Sequence, residues 1–254
     1  SVFLAGGQSL IPALNMRLST PSCLIDISKL SDLSVIKFEN NSLYIGALAT
    51  HSEVLNNDIV NKKIPVLKNI LKMVAHSAIR NKGTHGGSIA YADPAAELPA
   101  FAVAMNAEIV LSGLKGKRTV SANDFYLGLF ETDIMPDEMI IGINYPCLKT
   151  NEYIVFDEVC RRHGDYAMAG LIARVELQNN NIKELKLVFF ATGDRPDIAH
   201  ETAKIIINEG YDYLLTKKSL NSELEFAGDL NSSPEMKLHL ATILINKALK
   251  KLEK

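Results

Sequence analysis

Two glycine pairs, each with a hydroxyl residue close by, constrain the fold of this chain more than any other feature of its sequence. They lie in Ala5-Gly6-Gly7-Gln8-Ser9 and in Thr84-His85-Gly86-Gly87-Ser88. Paired glycines let the backbone approach a ligand closely, and consecutive amides can then face a phosphate. A lone glycine pair is more often a tight turn, so turn and phosphate cradle both remain open. Neither segment has the G-x-G-x-x-G or G-x-x-x-x-G-K-[ST] spacing of the common nucleotide motifs.

Hairpins and single helices alternate in the first part of the chain. An apolar strand precedes the first glycine pair, and Asn40-Asn41 predicts a tight hairpin between two strand-like segments. Apolar residues at spacings of three and four predict a helix that opens at Pro65. Asp93-Pro94 predicts the start of another helix, with Asp93 as the N-cap and Pro94 at the first helical position.

The pattern changes after Pro146. Strand-like segments follow at 153–161, 167–177 and 183–191, and helical patterns follow at 196–208 and 234–252. We therefore predict an α+β fold rather than a doubly wound parallel sheet. The predicted domains are residues 1–148 and residues 152–254.

Composition excludes several classes of protein. The 27 basic and 29 acidic residues give a net charge of −2, which provides no overall basic field for nucleic acid. The three cysteines lie far apart and the histidines lack metal-ligand spacing, so we predict no metal site in this chain. No apolar run approaches the roughly 18 residues of a membrane span, and no signal peptide is recognisable, so we expect a cytoplasmic protein. Ser9 and Ser88 lack a G-x-S-x-G context and no acid–base dyad is evident, so we predict no catalytic side chain.

Three motifs, taken in order, resemble one family. The first is Ala5-Gly6-Gly7-Gln8-Ser9-Leu10, and the second is Arg80-Asn81-Lys82-Gly83-Thr84-His85-Gly86-Gly87-Ser88 with Asp93-Pro94 behind it. The third is Arg161-Arg162-His163-Gly164-Asp165-Tyr166-Ala167. Together they resemble the FAD-binding medium subunits of the molybdenum hydroxylases, which include carbon monoxide dehydrogenase, quinoline oxidoreductase and the flavin domain of xanthine dehydrogenase.

The resemblance implies a two-subdomain FAD-binding fold of the vanillyl-alcohol-oxidase type, followed by a C-terminal domain of antiparallel sheet and helices. It implies that backbone amides of both glycine loops neutralise the FAD diphosphate and that Ile134 or Met135 lines the flavin or adenine cavity. It also implies that Tyr166 stacks on or gates the flavin ring. Asp93 would lie close to the cofactor, with a purely structural helix cap as the open alternative. His85 stands where the family has a small or apolar residue, and we expect its side chain to point to solvent. The implied FAD-binding residues are Ala5, Gly6, Gly7, Gln8, Ser9, Leu10, Thr84, His85, Gly86, Gly87, Ser88, Asp93, Ile134 and Tyr166.

The implied function is electron transfer within a larger complex. Electrons would pass from [2Fe–2S] clusters on a small subunit, through the FAD of this chain, to an external acceptor. Molybdopterin would be bound by a large subunit, and the assembly would be a dimer of heterotrimers. Two alternatives stay open, namely a stand-alone flavoenzyme of related fold and a structural subunit that has lost its flavin.

The family begins with a strand–helix unit ahead of the first glycine loop, whereas this chain begins at the strand of that loop. We therefore expect that the unit has been trimmed from the front of the chain.

Overall fold

Residues 1–252 are described by a computed structural model, and strands and helices alternate along them. In chain order the strands are β1 (Val2–Leu4), β2 (Leu24–Asp26), β3 (Ile36–Glu39), β4 (Ser42–Gly46), β5 (Glu108–Gly113), β6 (Gly116–Ser121), β7 (Tyr126–Gly128), β8 (Glu131–Thr132), β9 (Met139–Pro146), β10 (Glu152–Cys160), β11 (Ala167–Gln178), β12 (Asn181–Phe190) and β13 (Asp197–Ile198). The helices are α1 (Leu10–Asn15), α2 (His51–Asn56), α3 (Asp58–Lys63), α4 (Pro65–Met73), α5 (Ser77–Arg80), α6 (His85–Tyr91), α7 (Glu97–Ala104), α8 (Ala122–Phe125), α9 (His200–Glu209), α10 (Tyr213–Glu223) and α11 (Pro234–Leu252).

These elements form two units. The first contains residues 1–92, 106–127 and 131–147, and the second contains 93–105, 128–130 and the described residues from 148 onward. The predicted α+β class is confirmed, because both units combine antiparallel sheet with packed helices.

An antiparallel sheet in the order β3-β4-β9-β5-β6 organises the first unit. Its strands alternate between buried and less buried positions, as the two-residue repeat of a strand requires. Ile45, Ile143 and Ile109 lie side by side across β4, β9 and β5, and all three are fully buried. The Asn40-Asn41 hairpin is confirmed, and both residues adopt the positive φ that such a turn requires.

Local signals start the helices of the first unit. Thr50 and Glu53 form a reciprocal capping box at the start of α2, and Asn57 caps α3. The helix predicted at Pro65 is confirmed as α4, whose buried face carries Leu67, Ile70 and Leu71. Burying each such side chain contributes about 1.5–3 kcal/mol.

The second unit is built on the antiparallel sheet β10-β11-β12-β13. The long strands β10, β11 and β12 confirm the three strand segments predicted after Pro146. One face of the sheet, including Leu171 and Phe189, packs with α11 through Leu244 and Ile245.

The opposite face of this sheet holds α7. Arg174 donates to the carbonyl of Met105 and Lys186 donates to that of Val103, so two cations bind the carboxyl end of the helix. That end carries the negative pole of the helix dipole, which favours this arrangement. Every residue from Leu98 to Ala104 is buried, so α7 is packed along nearly its whole length.

None of the helices within residues 1–252 combines the length and apolar composition that a membrane crossing requires.

Candidate cofactor-binding site

The two glycine loops meet inside the first unit. A Cβ atom on Gly6 would overlap the carbonyl oxygen of Lys82, directly before the second loop. Gly7 adopts a φ of +70°, a conformation that side chains with a Cβ rarely take. The approach of the loops therefore requires glycine at position 6 and favours it at position 7.

The first loop offers a run of unused hydrogen-bond donors. Within residues 1–252, the amide groups of residues 6–10 have no hydrogen-bond partner. The carbonyls of Gly7 and Ser9 accept from Ile11 and Ala13, which opens α1. The Ser9 hydroxyl makes no capping bond, and both Gln8 and Ser9 are exposed. Several free amides beside an exposed hydroxyl suit the diphosphate of FAD, because such donors bind anions without a charged side chain.

The backbone amides of the second loop donate hydrogen bonds to other groups of the protein. His85 donates to Ala49 O at 2.8 Å and Gly86 donates to Ala47 O at 2.9 Å. Gly87 donates to the Thr84 hydroxyl at 3.1 Å, which caps α6. The amides of residues 85–88 are therefore used within the protein, in contrast to those of residues 6–10. Residues 84–88 shape the site by close packing, since a Cβ on Gly86 would overlap Ala47.

His85 is fully buried, so the expectation that its side chain points to solvent is wrong. It begins α6, whose first turn packs against β4 and β9, and there its Nε2 shares a hydrogen bond of 2.6 Å with the Tyr145 hydroxyl. Burial, and then the charge of His51, lowers the pKa of His85 to about 3. Burial, and then Arg80, lowers the pKa of His51 to about 4. Within residues 1–252, the Nδ1 atoms of both rings have no hydrogen-bond partner.

Asp93 is not the N-cap of a helix, and that prediction is wrong. Ala92, in the left-handed conformation at φ +52°, ends α6, and Asp93 opens a turn rather than a helix. Its Oδ1 accepts from the amide of Ala95 and its carbonyl accepts from that of Ala96, so α7 begins only at Glu97. Because the Asp93 side chain and carbonyl are already hydrogen-bonded in this turn, Pro94 belongs to the turn and not to the first turn of a helix.

Asp93 and Tyr166, two of the predicted residues, are brought together in the second unit. Tyr166 is 66% exposed and hydrogen bonds with the Asp93 carboxylate. Burial is the largest influence on the pKa of Asp93 and raises it above the ordinary value. Tyr166 thus combines an accessible ring with a tethered hydroxyl, which suits contact with a planar ligand.

Ile134 lies in the first unit and is half-buried. Arg118 fixes the segment around Ile134, because it forms ion pairs with Asp133 at 2.6 Å and with Glu138 at 2.7 Å. Because the fork of the guanidinium bonds both acids, the backbone on either side of Ile134 is held in place.

Sequence reasoning missed a group of acids next to Asp93. Glu97 is the first residue of α7, and burial, followed by the charge of Glu158, raises its pKa to about 8. Burial, and then the charge of Asp157, raises the pKa of Glu158 on β10 to about 7. One signal was present in the sequence, because Glu97 ends the Asp93-Pro94-Ala95-Ala96-Glu97 segment just before an apolar helix. No local pattern marks Glu158.

Both parts of the chain match families of known proteins. Residues 1–148 match the family described as the FAD binding domain in molybdopterin dehydrogenase. Residues 154–252 match the family described as the CO dehydrogenase flavoprotein C-terminal domain.

Individual relatives agree over nearly the whole chain. The glyceraldehyde dehydrogenase medium chain of Sulfolobus acidocaldarius is 36% identical over 250 residues, which cover 97% of this chain and 89% of that protein. The crystal structure of quinoline 2-oxidoreductase from Pseudomonas putida 86 is similar with a TM-score of 0.91 at 32% identity, covering 99% of this chain and 88% of that one. Reconstituted CO dehydrogenase from Oligotropha carboxidovorans is similar with a TM-score of 0.92 at 27% identity, covering 99% and 89%.

Proposed function

The chain belongs to the FAD-binding medium subunits of the molybdenum hydroxylases, and we propose that it carries electrons from [2Fe–2S] clusters on a partner chain, by way of its FAD, to an external acceptor. FAD is the cofactor of the domain that residues 1–148 match. The observation that carries the proposal is the run of unbonded amides at residues 6–10, packed against the second glycine loop.

We assign the cofactor contacts as follows. The amides and hydroxyl of residues 5–10 bind the diphosphate, and residues 84–88 form the wall against which it lies. Asp93 and Tyr166 are further proposed cofactor contacts, as the motif resemblance implies, and Ile134 supplies an apolar surface. Bound FAD supplies the one- and two-electron chemistry, while the protein supplies position and electrostatics. No side chain is required as an acid or base.

The proposed partners are a large subunit with molybdopterin and a small subunit with [2Fe–2S] clusters, assembled as a dimer of heterotrimers. The name "medium chain" of the Sulfolobus relative supports an assembly of unlike subunits. We keep residues 1–148 and 152–254 as the proposed domains. Cys23, Cys147 and Cys160 are unpaired, which supports a reducing compartment such as the cytoplasm.

The test is the flavin content of the chain, purified alone and after co-expression with candidate partner subunits. We expect a flavin absorption spectrum that dithionite bleaches, and equimolar FAD after acid extraction. The variant Gly6→Ala should lose the flavin, because its Cβ would overlap the Lys82 carbonyl and separate the two loops.

Gly210→Ala is the matched control. It also adds a Cβ. Unlike Gly6, Gly210 has a positive φ (+81°), so the substitution costs about 1–2 kcal/mol, but it lies outside the site and its Cβ meets no neighbouring atom. It should keep the flavin. Absence of FAD even from the assembled complex would refute electron transfer and favour a structural subunit.

A further inference from the structure

The second unit contains a buried lysine that bonds to the backbone just after β12. Lys237 lies near the start of α11 and is only 5% exposed. Its Nζ donates to the carbonyl of Ala191 at 2.6 Å and pairs with Oδ2 of Asp229 at 2.8 Å. A buried ammonium group is costly unless it is paired and hydrogen-bonded, so these two contacts hold the lysine side chain in one place.

The acid that pairs with this lysine is itself fixed. Asp229 belongs to the segment 224–233, which joins α10 to α11. Its Oδ1 accepts from the amides of Asn231 at 2.7 Å and Ser232 at 2.9 Å. One carboxylate oxygen therefore closes a turn in the segment, while the other pairs with Lys237.

The residue that the lysine holds has an unusual backbone conformation. Ala191 directly follows β12 and has a φ of +60°, which residues with a Cβ rarely adopt. Such a conformation persists only where the surroundings hold it. Both backbone groups of Ala191 are bonded, since its carbonyl accepts from Lys237 and its amide donates to the Pro94 carbonyl at 2.7 Å. Ala191 therefore connects α11 to the segment that contains Pro94.

That segment is the turn that Asp93 opens. The side chain and carbonyl of Asp93 accept from the amides of Ala95 and Ala96, so these bonds are internal to the turn. The bond from Ala191 to the Pro94 carbonyl comes from the end of β12, far away in the sequence. It fixes where the turn, and with it the Asp93 carboxylate, lies within the second unit.

We propose that Lys237 is a positioning residue for the FAD site. It holds Ala191 in the left-handed conformation, and Ala191 in turn fixes the Pro94 carbonyl. The position of Asp93, one residue earlier, then depends on a side chain of α11. The contact between Asp93 and FAD rests on the proposed function. Lys237 acts through Ala191 and is not a catalytic residue.

The positioning is tested first in the full chain without flavin, by amide hydrogen exchange followed by NMR. Lys237→Met removes the cation and keeps a long apolar side chain. The amides of Ala95, Ala96 and Ala191 should then exchange about tenfold faster. A tenfold change is about 1.4 kcal/mol, at the lower end of what a hydrogen bond to a charged group contributes. Unchanged exchange of these three amides would overturn the proposal.

Two further variants identify the cation as the cause. Lys237→Arg should keep slow exchange, because a guanidinium also donates to a carbonyl and a carboxylate. Exchange as fast as in Lys237→Met would overturn the role of the cation. Asp229→Asn removes the charge of the partner but keeps Oδ1 as the acceptor of the turn. It should speed the same three amides, and it provides the test if Lys237→Met does not fold.

Two controls separate this role from the general stability of α11. Lys251→Met removes a lysine of the same helix that also bonds one carbonyl and one carboxylate, those of Phe156 and Asp157. Leu244→Ala removes buried apolar atoms from the same helix and leaves a cavity. Neither control should single out the three amides within the second unit. A selective effect equal to that of Lys237→Met would overturn the proposal.

The link to the cofactor is tested by equilibrium dialysis with FAD. Lys237→Met should raise the Kd for FAD about tenfold, the same free-energy change as in hydrogen exchange. Lys237→Arg, Lys251→Met and Leu244→Ala should keep the wild-type Kd. An unchanged Kd in Lys237→Met, despite faster exchange, would overturn the role of Lys237 at the FAD site. Absence of FAD from the wild type, alone and in the complex, would refute the proposed function, whereas hydrogen exchange decides the hold on the Asp93 turn independently.

Discussion

Lowering the pH from 7 to 4 should destabilise the chain through His85, which is buried and uncharged. Its pKa is about 3 in the folded chain against 6.5 for an ordinary histidine, so the unfolded chain binds a proton that the folded chain does not. The stability that this difference contributes is fully present above pH 6.5 and is lost progressively as the pH falls toward 3. At about 1.4 kcal/mol per pH unit, the loss between pH 6.5 and 4 is about 3 kcal/mol.

This is a large part of the total stability of a typical domain, which is about 5–15 kcal/mol. His51 acts in the same direction over a narrower range, since its pKa falls only to about 4. The two contributions are not additive, because the charge of His51 is one cause of the low pKa of His85.

The assay is urea unfolding followed by far-ultraviolet circular dichroism, at intervals from pH 4 to pH 8. The variant His85→Gln removes the titrating ring and should show a flatter dependence of the unfolding free energy on pH. His163→Gln, in the exposed turn after β10, is the control and should follow the wild type. If wild type and His85→Gln lose the same free energy between pH 6.5 and 4, the assignment of acid lability to His85 is refuted.

Three further perturbations follow from the site. Tyr145→Phe should destabilise the chain by about 1–3 kcal/mol in urea unfolding, because it leaves the buried His85 Nε2 without its partner, and unchanged stability would contradict the hydrogen bond. Gly86→Ala should cost about 1–3 kcal/mol and reduce the FAD content, because its Cβ would overlap Ala47; normal FAD content would show that the second loop does not form the wall. Arg118→Lys should speed amide hydrogen exchange in residues 133–138, because lysine cannot bond Asp133 and Glu138 with one planar fork, and wild-type exchange rates would refute that role.

Several predictions that depend on short-range patterns agree with the structure. The two-residue turn at Asn40-Asn41, the helix that opens at Pro65 and the three strands after Pro146 each follow from residues close together in the chain. The helix α10 was missed because its apolar residues are spread around the helix instead of forming one stripe, so periodicity does not mark it.

Two site predictions failed, one for a local reason and one for a non-local reason. Asp93 has the residue type of an N-cap, but the left-handed Ala92 and the bonds to Ala95 and Ala96 place it in a turn. His85 lies in a glycine-rich segment, for which we expected an exposed side chain. In the structure it begins α6 and contacts Tyr145 on β9, 60 residues away in sequence. The environment of His85 therefore comes from a distant chain segment, whereas Asp93 is held by bonds to residues within three positions of it.

The sequence by itself determined the Asn40-Asn41 hairpin, the helix at Pro65, the three long strands after Pro146, the glycines at both loops and, through its motifs, the family and the FAD cofactor. These properties depend on backbone conformation and on residue types over a few neighbouring positions. Only the tertiary structure decided which amides stay free, that His85 is buried and that Asp93 hydrogen bonds with Tyr166. Burial, pKa and the availability of a donor depend on the atoms that surround a group, and most of those atoms belong to residues far away in the chain.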